Sequence, residues 1–336
     1  MFTGFYTINS TLSIPNNNTM ASIKIDLAAP EPFIAPAEIY CGSHADPSLP
    51  TPPVLLRIAT GGAGQSGLVR ALANAFVDYN VKESACGDFS VSWLLSDTSE
   101  SFNFLASRAA DLSITYHKAA EEIAIAQGIA DRREYAWRDH WLFVGRFERL
   151  LVDLELLHPP GPTSNPAGIS ADSSSRTIHE LFIQLFTACV SNPAIRFLSR
   201  YDKSAANIKE SSIWTAIGQT PWAHPFSSWY HRYVGFPFAA LKVASALEEY
   251  TITDQGTWLS IGGDIREKMT VFKASTDDED DPLLNPAHIL VGTRGANRDM
   301  ANRFADWMIM RDGGQKVVRD FAVNGNILYS VAPERL

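Results

Sequence analysis

Residues 57–69 read RIATGGAGQSGLV, and Gly62, Gly64 and Gly67 within them stand at the G-x-G-x-x-G spacing. A turn without side chains lets a ligand approach bare backbone N–H groups. A helix that follows such a turn adds the positive end of its dipole. Two cofactor chemistries use loops of this kind, and the surrounding residues fit neither. A dinucleotide site needs an acid about 20 residues on, at the end of the second strand, to hold a ribose hydroxyl. Here the second apolar run ends at Ser96-Asp97, and Asp88 precedes it. A phosphate P-loop needs a Lys directly after the last glycine, and position 68 is Leu. What remains is a loop that offers backbone to an anion, with a plain strand-to-helix turn as the structural alternative.

The second informative stretch is FLSRYDKSAANIKESSIW, 197–214. Arg200 ends an apolar run, Asp202 or Ser204 would cap the next helix, and Lys209 follows within its second turn. A guanidinium fork beside a helix N-terminus is suited to an anion, because both present N–H groups to one place. An ordinary helix cap with a surface Arg is the other reading. A different chemistry would need the histidines. His224 and His231 lie in the aromatic stretch WAHPFSSWYHRYVGFPF, and His117 follows the third apolar run. A His near neutral pH can serve as general acid or base, so His117 and His231 are the catalytic candidates of an alternative reading. No Ser-His-Asp signature, nucleophile elbow or metal cluster is legible. Binding is therefore expected ahead of catalysis, with no metal and no cofactor.

The elements that would position these residues follow from periodicity. Apolar runs at 54–60, 89–96, 111–116 and 140–146 alternate with helical spacing at 66–80, 99–109 and 118–129. Such alternation predicts βαβ units and a parallel sheet buried on both faces. A Pro-rich stretch after residue 146 breaks the rhythm. The pattern then restarts with helices at 176–190, 203–217, 237–249 and 254–262 and strands at 194–199 and 250–253, and it closes with a strand at 288–293 and helices at 297–310 and 312–322. The expectation is an α/β chain of two lobes: 53–145 with 289–336, and 146–288, behind a weakly ordered leader at 1–52 carrying one short strand at 21–27. Two crossings between lobes make a hinge over a cleft.

Bulk numbers narrow the partners. The 336 residues carry a formal net charge of −9, which lacks the basic footprint of a nucleic-acid binder. The acidic block 277–281 reads as a solvated loop. Cys41, Cys86 and Cys189 form no C-x-x-C pair, and Cys189 reads as a buried apolar residue. No apolar run is long enough to span a membrane, so no membrane insertion is expected. The N-terminus has no basic start ahead of an apolar core, so as written the chain reads as cytoplasmic, and as secreted if its native N-terminus differs. A monomer is expected.

The order of the segments resembles the tungstate-binding subunit family of ABC importers. The resemblance runs over roughly 53–334, through LLRIAT, SGLV, LASRAADLSITYHKAAEE, RDHWLFVG, NPAGIS, SRYDKSAANIKE, ASALEEYTITDQGTWL and DDPLLNPAHILVGT to the segment ending NGNILY. The leader and loose composition look like those of a eukaryotic relative. The resemblance implies a type II periplasmic-binding-protein-like fold, each lobe a mostly parallel sheet flanked by helices, with the ligand in the cleft between them. It implies an oxyanion trap, tungstate-like, molybdate-like or an organic acid, and a membrane permease as partner if the chain is exported. The implied ligand residues are Thr60, Gly61, Gly62, Gly64, Ser66, Thr98, Ser99, Arg200, Ser204 and Lys209. The family's first loop, Ala-Thr-Thr-Thr-Ser, is here Ala59-Thr60-Gly61-Gly62-Ala63, and Ala205 and Ala206 replace a Gly and a Thr. Several hydroxyl donors are thus absent. At about 1 kcal/mol per hydrogen bond, tungstate and molybdate are expected to bind weakly.

Overall fold

A computed structural model describes residues 31–84, 87–146, 165–170, 175–223 and 227–334. The expected strand at 21–27, the short amphipathic piece after 146, Cys86 and His224 lie outside the described residues. The elements run β1 (Glu38–Tyr40), β2 (Val54–Thr60), α1 (Gly62–Gln65), α2 (Leu68–Ser84), β3 (Ser90–Leu95), α3 (Thr98–Ala106), β4 (Leu112–Thr115), α4 (Lys118–Ala126) and β5 (Ala130–Arg146). After these come α5 (Ile178–Ser191), β6 (Phe197–Ser199), α6 (Ala205–Ala216), β7 (Tyr230–Arg232), α7 (Pro237–Leu247), β8 (Thr251–Asp254), α8 (Gln255–Ser260), α9 (Gly263–Arg266) and β9 (Met269–Ala274). The chain closes with β10 (Leu284–Gly292), α10 (Arg298–Met308), α11 (Gly314–Asp320) and three two-residue strands, β11 to β13, at 322–323, 326–327 and 330–331.

The apolar runs became strands because both of their faces are covered. Leu56, Ile58 and Val91 pack with α2, α10 and α11 residues such as Phe76, Phe304 and Val318. Ala59, Leu94 and Leu290 pack with Leu105 and Ala124 on the other face. Strand β2 is parallel to β3 and β4, as the alternation predicts. The rest departs from a parallel sheet. β10 runs antiparallel to β4 and β5, and β1 antiparallel to β3. The reason is β5, which is one strand of 17 residues rather than the expected seven. Its charged first half, ADRREY, hides the strand from a search for apolar runs.

Strand β5 changes partners along its length. Residues 130–140 pair with β10, and Trp141–Arg146 pair with β8 and β9. The cores change at the same point. Trp137 belongs with Phe76 and Phe304, whereas Trp141 and Phe143 belong with Phe182, Trp214 and Tyr250. Leu142 and Val144 pack with Leu198 and Leu241 on the opposite side. Thus the chain passes from one core to the other near 140–141, and Leu283 and Leu284 mark the return. Residues Glu38–Tyr40, expected within a weakly ordered leader, instead form an edge strand on β3, and Ala37 N donates to Trp93 O at 2.8 Å.

Candidate functional site

Loops at the carboxyl ends of strands from both halves converge on a cleft of about 580 Å³. Open α/β sheets bind ligands at this edge. From the first half come Gly61, Gly62 and Gln65 after β2, Ser96, Asp97, Thr98 and Glu100 after β3, and Ile114 and Tyr116 at the end of β4. From the second come Arg200 to Ala206 after β6 (through Asp202, Ser204 and Ala205), Val234–Pro237 ahead of α7, and Asp254 at the end of β8. Asp139, Trp141, Asn285 and Tyr329 form the floor at the point where β5 changes partners.

Local sequence explains each helix start on the cleft. Asp97-Thr98-Ser99-Glu100 is a capping box: the Asp97 carboxylate accepts from Glu100 N at 2.8 Å, and Glu100 reaches back to Asp97 N at 3.1 Å. Ser204 caps α6 by accepting from Asn207 N. Pro237 opens α7, where its fixed φ suits the first turn and its missing N–H costs nothing. Asp254 caps α8, accepting from Thr257 N at 2.7 Å.

Arg200 is the only basic residue among those lining the cleft. Its side chain is 13% exposed. Nε donates to Gly235 O at 3.0 Å and one terminal amino group donates to Asp202 Oδ2 at 2.7 Å. Ser204 Oγ and N both donate to the other Asp202 oxygen. The guanidinium is thus fixed by two anchors, with its remaining N–H groups beside the cleft. Next to it, Tyr201 takes a left-handed φ of 42° that turns the chain sharply after β6.

Asp139 is the carboxyl on the floor whose ionisation the fold shifts. Its carboxyl is 7% exposed and accepts from His140 N at 2.8 Å and Asn285 Nδ2 at 3.2 Å. Burial pushes it up to about 8, and the nearby negative charge of Asp254 pushes the same way. Burial also drives the Tyr116 and Tyr329 hydroxyls well above their ordinary value.

The structure places the expected residues unequally. Gly61, Gly62, Thr98, Arg200 and Ser204 line the cleft. Ser99 sits at its mouth, where Oγ donates to Lys203 O of the facing half at 3.5 Å. The other candidates are elsewhere. Thr60 is fully buried behind the loop and its Oγ1 has no partner. Gly64 packs on Trp93, whose ring lies 2.1 Å from where a Cβ would stand, so this glycine serves close packing. Ser66 Oγ is taken by Ala63 O and by Tyr329 Oη at 2.8 Å. Lys209 turns away from the cleft and donates from Nζ to Pro282 O and Leu284 O, at 2.9 and 2.8 Å, fastening α6 to the returning chain.

The two candidate histidines stand away from the cleft lining as well. His117 Nδ1 caps α4 by accepting from Ala120 N at 3.2 Å. His231 pairs with buried Glu249 at 2.6 Å. Neither lines the cleft. The residues that sequence reading missed are Asp139, Asp254, Tyr116, Trp141, Asn285, Phe236 and Tyr329. Asp254 carried a signal, since an acid directly after the strand TIT and three residues before Thr257 marks a helix cap. Tyr329 carried none, because Ser66 and Trp137, which it meets here, are far from it in sequence.

Comparison with known proteins gives a consistent picture. Residues 47–312 match the PBP superfamily domain. The tungstate-binding protein TupA of Peptoclostridium acidaminophilum is 25% identical over 216 residues, 63% of this chain and 64% of that protein. The chain spans between 46% and 64% of the length of three curated relatives it matches. Among solved structures, a periplasmic candidate metal-binding protein is 45% identical, covering 89% of this chain and 100% of that one with a TM-score of 0.77. The tungstate-binding protein TupA from Desulfovibrio alaskensis G20, at 20% identity, covers 84% and 100% with a TM-score of 0.63, a likeness of fold.

Proposed function

The chain belongs to the PBP superfamily, and on that premise we propose that it is a solute-binding protein whose ligand sits between its two lobes with an oxyanion group against Arg200. The observation that carries this reading is the 580 Å³ cleft lined from both halves, with one fixed guanidinium on its wall. A cleft of this size falls within the ~300–1,000 Å³ usual for organic ligands. The donors assigned to the ligand are Arg200, Ser204 and the backbone at Gly61 and Gly62, with Thr98 in contact. Arg200 supplies forked N–H donors suited to a carboxylate or similar group.

The two passages of chain between the lobes, at 140–141 and near 275–284, would act as the hinge. Lobe 1 is taken as the expected 53–145 with 289–336, its edges moved to these passages, and lobe 2 as the segment between. A permease partner is proposed on the same basis, because a curated relative from Haloferax volcanii, 27% identical over 176 residues, is named as a candidate ABC transporter anion-binding protein. Titration of the dialysed full chain by calorimetry, with organic acids and with tungstate, tests the reading. An anion that binds the chain and is lost with Arg200→Ala supports it. Equal affinity in that variant refutes it.

A further inference from the structure

The cleft has more negative charge than an anion trap needs. Asp97, Glu100, Asp139, Asp202 and Asp254 line it against the single Arg200. Three of these acids have local employment: Asp97 and Glu100 cap α3, and Asp202 pairs with Arg200. Asp139 and Asp254 are different. Their hydrogen bonds come only from neutral groups, namely His140 N and Asn285 Nδ2 for one, Thr257 N and Oγ1 for the other. Among the described residues neither carboxylate has a cationic partner. The negative charge of Asp254 acts on the buried Asp139 carboxyl, and a cation between the two would relieve it. No group of three or more His, Cys, Asp or Glu placed to hold a metal ion occurs among the described residues.

Asp254 and Arg200 also line one small adjoining cavity, together with Trp141 and Ala206, so the acidic and basic groups are neighbours. The rim adds a third feature. Leu95 is 41% exposed, Val234 74% and Phe236 60%, and all three line the cleft. Single exposed apolar side chains are ordinary, but three on the mouth of one cavity mark an apolar contact. A mineral oxyanion would use none of them.

Resting on the solute-binding reading above, we propose that the ligand is an amphoteric organic solute of the apolar amino-acid class. Its carboxylate meets Arg200, its ammonium lies between Asp139 and Asp254, and its apolar part lies against Leu95, Val234 and Phe236. The upward shift of the Asp139 carboxyl fits this arrangement, since an unpaired buried carboxyl holds its proton until a cation arrives.

The test is calorimetry on the dialysed full chain with four kinds of probe. These are apolar amino acids (leucine, valine, methionine, phenylalanine), the same skeletons without the ammonium, the same skeletons without the carboxylate, and sodium tungstate. The inference expects an amino acid to bind at least tenfold more tightly than either truncated form. Asp139→Asn and Asp254→Asn should each weaken the amino acid about tenfold or more while leaving the ammonium-free acid unchanged or stronger. The pH profile has opposite signs for the two ligand types. As Asp139 ionises between pH 6 and 9, ammonium binding strengthens and binding of a pure anion weakens. The groups facing Asp139 are Asp254, Asn285, Tyr116, Tyr329 and Arg200, with His140 beside it in the chain and paired to Asp277. Asp139→Asn removes its own contribution and so separates it from that of His140. If the ammonium-free acids or tungstate bind as tightly as any amino acid, this inference is overturned and the oxyanion reading stands. If only the amines bind, or no probe of any kind binds, the oxyanion reading falls as well.

Discussion

The two walls of the cleft are made of different material. The first-lobe wall is mostly backbone and helix caps: Gly61, Gly62, and an α3 capped by Asp97, whose carboxylate accepts from Glu100 N. The second-lobe wall is mostly side chain: Arg200 locked by Asp202 and Gly235, a Ser204 hydroxyl, and the apolar pair Val234 and Phe236. The resemblance counts Thr98, at the start of α3, and Ser204, at the start of α6, alike among the ligand residues. The difference teaches that a helix N-terminus is a weaker anion site when a carboxylate of its own chain caps it, because that carboxylate takes one N–H and its charge opposes the dipole's pull on a second anion. The one guanidinium on the cleft wall therefore stands on the second lobe, together with the apolar pair, while the first lobe contributes backbone and a capped helix.

The largest effect should come from breaking the second wall. Arg200→Ala is expected to cost about 2–4 kcal/mol of ligand affinity, and Arg200→Lys to recover part of it, because a point charge lacks the fork. Affinity measured beside a thermal melt checks this, and the melt should move far less than the affinity. The first wall should respond the other way. Gly64→Ala would place a Cβ 2.1 Å from the Trp93 ring and is expected to cost about 1–3 kcal/mol of stability through overpacking. Gly62→Ala, with nothing within 4 Å, should leave the melt unchanged and alter only binding.

The floor gives a pH test. In the unfolded chain Asp139 ionises near the ordinary value of about 3.9, and in the fold near 8. Between those values the folded state holds more protons, so this group's contribution to stability falls as pH rises from about 4 to 8. Asp139→Asn should raise Tm at pH 8 by several degrees and do little at pH 4. Glu210 is also pushed up to about 8 by burial, so the slope should shrink without vanishing. A Tm that drops at pH 8 in the Asn variant would count against this.

Two smaller effects sharpen the contrast. Lys209→Met removes the donors to Pro282 O and Leu284 O and should lower stability by about 1–2 kcal/mol with ligand affinity intact. A large affinity loss would return Lys209 to the site. Asp97→Ser keeps a cap on α3 but deletes a negative charge at the mouth. It should raise the affinity for any purely anionic probe a few-fold, less than about 1 kcal/mol, and raise it most at low salt.

Much of this protein was legible in the chain itself. The apolar runs at 54–60, 89–96 and 111–116 contain strands, the helices between them follow the helical spacing read at 66–80, 99–109 and 118–129, and the segments containing Gly61 and Arg200 do reach the cleft. Those features are local: periodicity, capping and glycine content act over a few residues, so the sequence states them directly. The first half of β5 was hidden because it is buried by pairing with β10, a strand far along the chain, and its charged residues find partners such as Glu121 and Asp306. That pairing also decided the antiparallel half of the sheet. The direction in which Lys209, His117 and His231 point, and the gathering of Asp139, Asp254, Asn285 and Tyr329 on one floor, were set only by tertiary structure. Each depends on which distant segment supplies the hydrogen bond or withholds the solvent, and no spacing along the chain encodes that.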